Sequence, residues 1–258
     1  MAAPAPIIEL RNVELGYDSR VLISGISTAV QQGQIFVIMG GSGCGKSTLM
    51  RQMAGLKSTP QGQILYHGVD FVSASEEEKY AMARHFGVMF QSGALWSSMT
   101  VGENVALPLE EHSTLSRQAI DEVVRLKLSY VGLAGFEDFY PAELSGGMVK
   151  RASIARAMAL DPDIVFLDEP SAGLDPLSSR HLDDLILRLR DILGTTFVVV
   201  THELASIFAI ADHSVFLDPE TKTMRASGNP RDLAQHSHDP LVRNFLNRAS
   251  TSNSSVIA

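Results

Sequence analysis

The chain has a single cysteine among its 258 residues, so no disulfide can form within it, and that cysteine, Cys44, lies inside a glycine-rich loop. Long apolar runs are missing too. The stretch Leu204-Ala205 and Ile207-Phe208-Ala209-Ile210-Ala211, interrupted by Ser206, falls well short of the ~18 residues a membrane-spanning helix needs, so no span is expected. The opening residues, Met1-Ala2-Ala3-Pro4-Ala5-Pro6, have neither the basic nor the apolar region of a secretion signal, and with the cysteine usage they point to the cytosol. There is no basic excess: Lys and Arg number 21 against 29 Asp and Glu, a net charge of -8, which removes any general electrostatic drive toward nucleic acid or an anionic membrane surface. Internal repeats are absent, as is any linker long enough to separate domains. What remains is 45% hydrophobic residues, enough for one large domain or two small ones.

The most informative stretch is Gly40-Gly41-Ser42-Gly43-Cys44-Gly45-Lys46-Ser47-Thr48, set between the apolar run 35–39 and the helix-favouring run 49–54. It fits G-x-x-x-x-G-K-[ST], the phosphate-binding loop. The glycines let backbone N–H groups point inward at phosphate oxygens, and the following helix aims the positive end of its dipole at the same charge. Lys46 is expected to reach the β- and γ-phosphates and Ser47 to place its hydroxyl on Mg²⁺.

Upstream, 7–15 and 21–30 read as an antiparallel pair joined by the turn Gly16-Tyr17-Asp18-Ser19, where Tyr17 serves equally as a stacking partner for a base or as ordinary packing. Downstream, 62–68 reads as a further hairpin strand and 75–85 as a surface helix with a glutamate-rich first turn. The buried strand 86–90 ends at Gln91, placed either to touch Mg²⁺ or the attacking water, or to be a solvated loop residue. Thr100-Val101-Gly102-Glu103 is a capping box for a short helix that Pro108 must end or kink. Ser116 caps a helix with Ile120, Val123, Val124, Leu128 and Val131 on one face. Leu144-Ser145-Gly146-Gly147 precedes an alanine-rich helix, 148–160, whose N-terminus is a second anion site. The strand 164–167 leads into Asp168-Glu169, the acidic pair opposite a phosphate loop, with Asp168 in the Mg²⁺ shell and Glu169 polarising a water. Asp175-Pro176 caps an amphipathic helix ended by Gly194, and strand 196–200 delivers His202 to the sheet edge where α/β folds bind ligands. A final helix is expected over 239–248, and the serine-rich 249–258 is expected to be disordered.

In this order the motifs resemble the ATP-binding cassette (ABC) ATPases over 7–248: Tyr17 as A-loop, Gly40 to Thr48 as Walker A, Gln91 as Q-loop, Leu144-Ser145-Gly146-Gly147-Met148 as signature, 164–169 as Walker B, Ser171-Ala172-Gly173-Leu174-Asp175 as D-loop and His202 as H-loop. The resemblance implies an α/β P-loop NTPase with a mostly parallel core sheet, an antiparallel β subdomain and a helical subdomain at about 92–160. The cassette would span 7–233 and a tail 234–258. It further implies a homodimer in which two ATP molecules are buried head to tail. Lys46, Gln91, Glu169 and His202 would be catalytic, Ser47, Gln91 and Asp168 would hold Mg²⁺, and Ser145, Gly146, Gly147 and Asp175 would act in trans. The family's commonest signature ends in glutamine, and Met148 stands there instead, so no role is given to its side chain.

Met148, Phe90-Gln91-Ser92-Gly93-Ala94-Leu95 and Asp239-Pro240-Leu241-Val242-Arg243-Asn244-Phe245-Leu246 are similar to the Mla-type ATPases of bacterial MCE lipid transporters. That resemblance implies a peripheral subunit on the cytoplasmic side of the inner membrane, working with an integral membrane permease, an MCE lipid-binding protein and often a small STAS-domain subunit. Ala94-Leu95-Trp96 is the expected permease docking loop. The alternatives are a transporter of another solute and a soluble ABC protein on ribosomes or DNA; a single compact cassette of charge -8 argues against the latter.

Overall fold

The computed structural model describes residues 5–17 and 20–252, and of Tyr17, Arg20 and residues 248–252 the backbone alone. Strand β1 (Ile8–Tyr17) pairs antiparallel with β2 (Arg20–Val30) on one side and with β4 (Gln63–Tyr66) on the other. With β5 (Val69–Asp70) they make a four-stranded antiparallel sheet in the order β2-β1-β4-β5. The second sheet runs β10-β9-β3-β8-β7-β6. Its strands are β3 (Ile35–Gly40), β6 (Phe86–Met89), β7 (Ile164–Asp168), β8 (Thr196–Val200), β9 (His213–Asp218) and β10 (Thr223–Gly228), and every neighbouring pair is parallel except β10 on β9.

Both faces of the parallel strands are covered, which is why β3, β7 and β8 are uninterrupted apolar runs rather than alternating ones. Ile35, Val37 and Met39 pack into a core shared with helices α3 (Val101–His112), α4 (Arg117–Tyr130), α5 (Gly146–Ala157) and α6 (Pro176–Leu193). Phe36 and Ile38 enter a second core with the antiparallel sheet and α1 (Lys46–Met53), against which Met82 of α2 (Glu76–Ala83) also packs. The edge strand β6 is fully buried only at alternate residues, Gly87 and Met89, which share one face of the sheet.

Local signals set several boundaries. In α3, Thr100 Oγ1 accepts from Glu103 N (3.2 Å) and Glu103 Oε2 accepts from Thr100 N (2.7 Å). Pro108 does not end that helix, which runs on to His112. A proline there costs the hydrogen bond to the carbonyl of Asn104, and the box together with buried Val101, Val105 and Leu109 holds the helix through it. Helix α5 begins at Gly146, two residues earlier than the alanine-rich run suggests, because Ser145 is its N-cap and accepts from Met148 N (3.3 Å).

The C-terminal third departs most from expectation. Strand β9 and helices α7 (Leu204–Ile210) and α8 (Pro230–His236) have no counterpart in the sequence reading, and β9 lies directly beside β3. The division at 233 falls inside α8. Helix α9 (Pro240–Ser252) packs through Val242 and Leu246 on the core that holds Ile35, Val37 and Met39, and it continues past Arg248 into the serine-rich stretch. Residues 253–258 lie outside the described residues. Arg225 pins α9 down, donating to Asp218 Oδ2 (2.9 Å) on β9 and to Asp239 Oδ2 (2.6 Å), while Asp239 Oδ1 accepts from Leu241 N. The Arg225 guanidinium holds the Asp218 carboxyl down at about 2. Among the described residues no helix is long and apolar enough to cross a membrane.

One buried acid works against the fold at neutral pH. Asp183 on α6 is 5% exposed, and burial, with Glu203 and Asp184 nearby, pushes its carboxyl up to about 6. An unfolded aspartate titrates near ~3.9, so folding takes up a proton between the two values and Asp183 costs stability progressively as pH rises through about 4 to 6. Asp183→Asn should therefore gain over wild type across that window, to a plateau of roughly 2–3 kcal/mol above it. Thermal unfolding of both proteins from pH 4.5 to 8 measures the difference, and a gap independent of pH would refute it.

Candidate functional site

The C-terminal ends of β3, β7 and β8 open on a cavity of about 670 Å³. Its floor is the loop between β3 and α1. Gly40 is obligatory there: its φ of 147° is open only to glycine, and a Cβ would lie 2.4 Å from the Leu217 carbonyl oxygen on β9. Helix α1 starts after Gly45 with no side-chain cap, which leaves its N-terminus facing the cavity as an anion-binding end. Gly40, Gly41, Ser42, Gly43, Gly45, Lys46, Ser47 and Thr48 all line it. Cys44 does not. Its thiol is buried beneath the loop, and that burial pushes its pKa up, so it is held neutral.

Lys46 Nζ donates to the carbonyls of Gly40 (3.1 Å) and Gly41 (2.9 Å), folded back over the loop it belongs to. Ser47 Oγ donates to Asp168 Oδ1 (2.7 Å), bringing together a hydroxyl and a carboxylate from elements 121 residues apart. These are hard oxygen donors of the kind Mg²⁺ takes alongside substrate phosphates. Among the described residues no cluster of three His, Cys, Asp or Glu could hold a metal by itself, so a cation here would need those phosphates.

Glu169 follows β7 with φ at 49°, in the left-handed region a non-glycine residue rarely occupies. Its backbone N–H is held by the Val200 carbonyl (2.9 Å). Oε1 lies 2.8 Å from His202 Nδ1, within hydrogen-bond reach. Oε2 is buried and has no hydrogen-bond partner among the described residues. A strained backbone and an orphaned oxygen at one residue mark a group held ready for something that is not protein. His202 is 62% exposed, on the open side of the cavity, and Gln91 lines it from the end of β6.

The structure thus gathers Lys46, Ser47, Gln91, Asp168, Glu169 and His202 at one place, and leaves others out. Ser145, Gly147 and Met148 line a separate cavity of about 330 Å³ with Ser178 and His181. Asp175 is committed to capping α6, accepting from Leu177 N and Ser178 N (3.0 Å each). The side chain of Tyr17 lies outside the described residues. Leu22, Leu204 and Phe245 complete the cavity wall unannounced; isolated apolar residues carry no signal of a site until the fold places them. Leu95 packs against the core, whereas Trp96 is 60% exposed.

Residues 23–172 match the sequence pattern of the ABC transporter family. The chain is 40% identical over 242 residues to the intermembrane phospholipid transport system ATP-binding protein MlaF of Escherichia coli K12, covering 94% of this chain and 89% of that one. It is 37% identical to the probable ribonucleotide transport ATP-binding protein mkl of Mycobacterium leprae, covering 93% of this chain and 68% of that one. Among solved structures it is similar to the ATP-binding cassette MJ0796 as a post-hydrolysis dimer bound to ADP and Pi, at 26% identity and a TM-score of 0.77, covering 86% of this chain and 98% of that one.

Proposed function

Because the chain belongs to the ABC transporter family and is an ATPase, we propose that it is the subunit whose ATP hydrolysis drives phospholipid transport between membranes of the cell envelope. The observation that carries this is the 40% identity to MlaF over nearly the full length of both chains. The ribonucleotide reading is weaker, since the relative that suggests it shares only 68% of its own length with this chain.

Each residue's role follows from its place. Lys46, released from the loop carbonyls it now contacts, would turn to the β- and γ-phosphates. Ser47, Asp168 and Gln91 would hold Mg²⁺; when bound, the ion neutralises charge on the phosphates. Glu169 Oε2 would take the proton of a water attacking the γ-phosphorus in line as the bridging P–O bond to ADP breaks, and His202 would keep Oε1 oriented. The N-terminus of α5, with Ser145, Gly146 and Gly147, would add donors to the γ-phosphate from a second copy of the chain, which is consistent with Ser145 and Gly147 lining a different cavity of their own protomer. Asp175, capping α6, would then meet that copy's site from beside the same surface.

Transport would run through an integral membrane permease, with an MCE lipid-binding protein and a STAS-domain subunit beside it and this chain peripheral on the cytoplasmic side of the inner membrane; among the described residues no helix can cross a membrane. Trp96 is the proposed permease contact; Leu95, packed inward, is not part of it. Complexes purified from native membranes and placed in phospholipid vesicles should move labelled phospholipid on adding ATP, and Trp96→Ser should lose the permease while still binding ATP. Uptake of ribonucleotides without lipid movement, or a complex with no MCE partner, would overturn the phospholipid reading and leave the ATPase standing.

A further inference from the structure

Lys150, Ser153 and Arg156 are spaced three apart on α5 and therefore share one face of it. That face grips the loop leading out of β6. Lys150 Nζ donates to the backbone carbonyl of Gln91, and Arg156 donates through Nη1 to the Ala94 carbonyl (2.7 Å) and through Nη2 to the Gly93 carbonyl (3.0 Å). Between the two cations, Ser153 presses on Gly93 so closely that a Cβ there would lie 2.6 Å from its hydroxyl. Lys150 is 7% exposed and Ser153 fully buried.

The loop held in this way is not one the backbone prefers. Gly93 and Ala94 have φ of 78° and 50°, and the alanine is strained in that region. Such a conformation persists only when its surroundings over-determine it. Gln91, the residue at the start of the loop, reaches the nucleotide cavity that Glu169 also lines.

We infer that Lys150 and Arg156 are positioning residues for the hydrolysis step: by holding three carbonyls of the 91–94 loop they set where the Gln91 side chain stands, and they make that loop and α5 move as one body. Neither lines the nucleotide cavity. Their removal should therefore cost rate and not affinity, since a displacement of about 1 Å at a reacting group is worth up to about 10²-fold.

In the full chain purified in its native assembly, Lys150→Met, which keeps the length of the side chain without its charge, should bind a fluorescent ATP analogue as wild type does. Its kcat should fall about 10- to 100-fold with KM changed less than about threefold, and Lys150→Arg, which restores a donor, should recover most of the loss. Arg156→Lys keeps the charge but cannot span two carbonyls, and should lower kcat in the same way. Deuterium uptake by the peptide covering 91–95 should rise in both variants, with that of 164–169 unchanged. Wild-type kcat in Lys150→Met, equal impairment of Lys150→Met and Lys150→Arg, or weakened nucleotide binding in either would overturn the positioning role. Hydrolysis by the wild-type protein in the same assay keeps that failure separate from any failure of the ATPase assignment.

Discussion

Glu169→Gln is expected to bind ATP with wild-type affinity and to turn it over about 10²–10⁴-fold more slowly, the usual worth of a positioned general base. That range corresponds to roughly 3–5 kcal/mol of barrier at about 1.36 kcal/mol per decade. The substitution keeps the shape of the side chain and an oxygen that can accept from His202 Nδ1, so the geometry at 2.8 Å need not change. What it removes is the basicity of Oε2, the buried oxygen with no partner. Lys46→Ala provides the contrast: its loss falls on nucleotide binding, since its ammonium is the cation of the phosphate loop. Steady-state hydrolysis and equilibrium binding of a fluorescent ATP analogue distinguish the two. Turnover near wild type in Glu169→Gln would remove this residue from the role, and unimpaired binding in Lys46→Ala would remove the phosphate contact.

Two lesions placed in a covalently linked pair of cassettes should give opposite results depending only on how they are distributed. Lys46 lines the 670 Å³ cavity, whereas Ser145 lines the other. If each working site takes its phosphate loop from one copy and its α5 N-terminus from the other, Lys46→Ala and Ser145→Arg in the same half spoil both sites. In opposite halves they fall on a single site and spare the second. The split arrangement should retain about half the wild-type hydrolysis if the sites fire independently and less if they are coupled, while the same-half arrangement should drop to the level of a double knockout. Arginine at 145 suits the purpose because it fills the space in front of the helix N-terminus and removes the hydroxyl that caps it. Equal activity in the two arrangements would exclude head-to-tail sharing.

Several features were decided by the sequence itself because the physics behind them is local. The phosphate loop is nine contiguous residues whose glycines and Lys46 act through their own backbone, and the Thr100 to Glu103 box closes within one helical turn. The continuous apolar runs of β3, β7 and β8 announce strands buried on both faces, and Asp175-Pro176 and Gly194 bound α6. Pro108 misled in its stronger reading because a break in local propensity was outweighed by capping and by the burial of one helix face. Other features belong to tertiary structure alone. His202 meets Glu169 across 33 residues, Lys150 meets Gln91 across 59, and Ser47 meets Asp168 across 121, distances over which no spacing rule operates. Strand β9 escaped notice because its apolar run, Val215 to Leu217, is only three residues long and shows no alternation, and it becomes a strand by inserting between β3 and β10. Once there, its Leu217 carbonyl makes Gly40 irreplaceable, and Asp218 anchors Arg225 and with it the helix that brings Phe245 to the cavity wall. The chemical groups are thus written along the chain. Which of them share a cavity, and which lie in a different one, depends on the order of the strands, because parallel strands meet only through crossovers that no local stretch encodes.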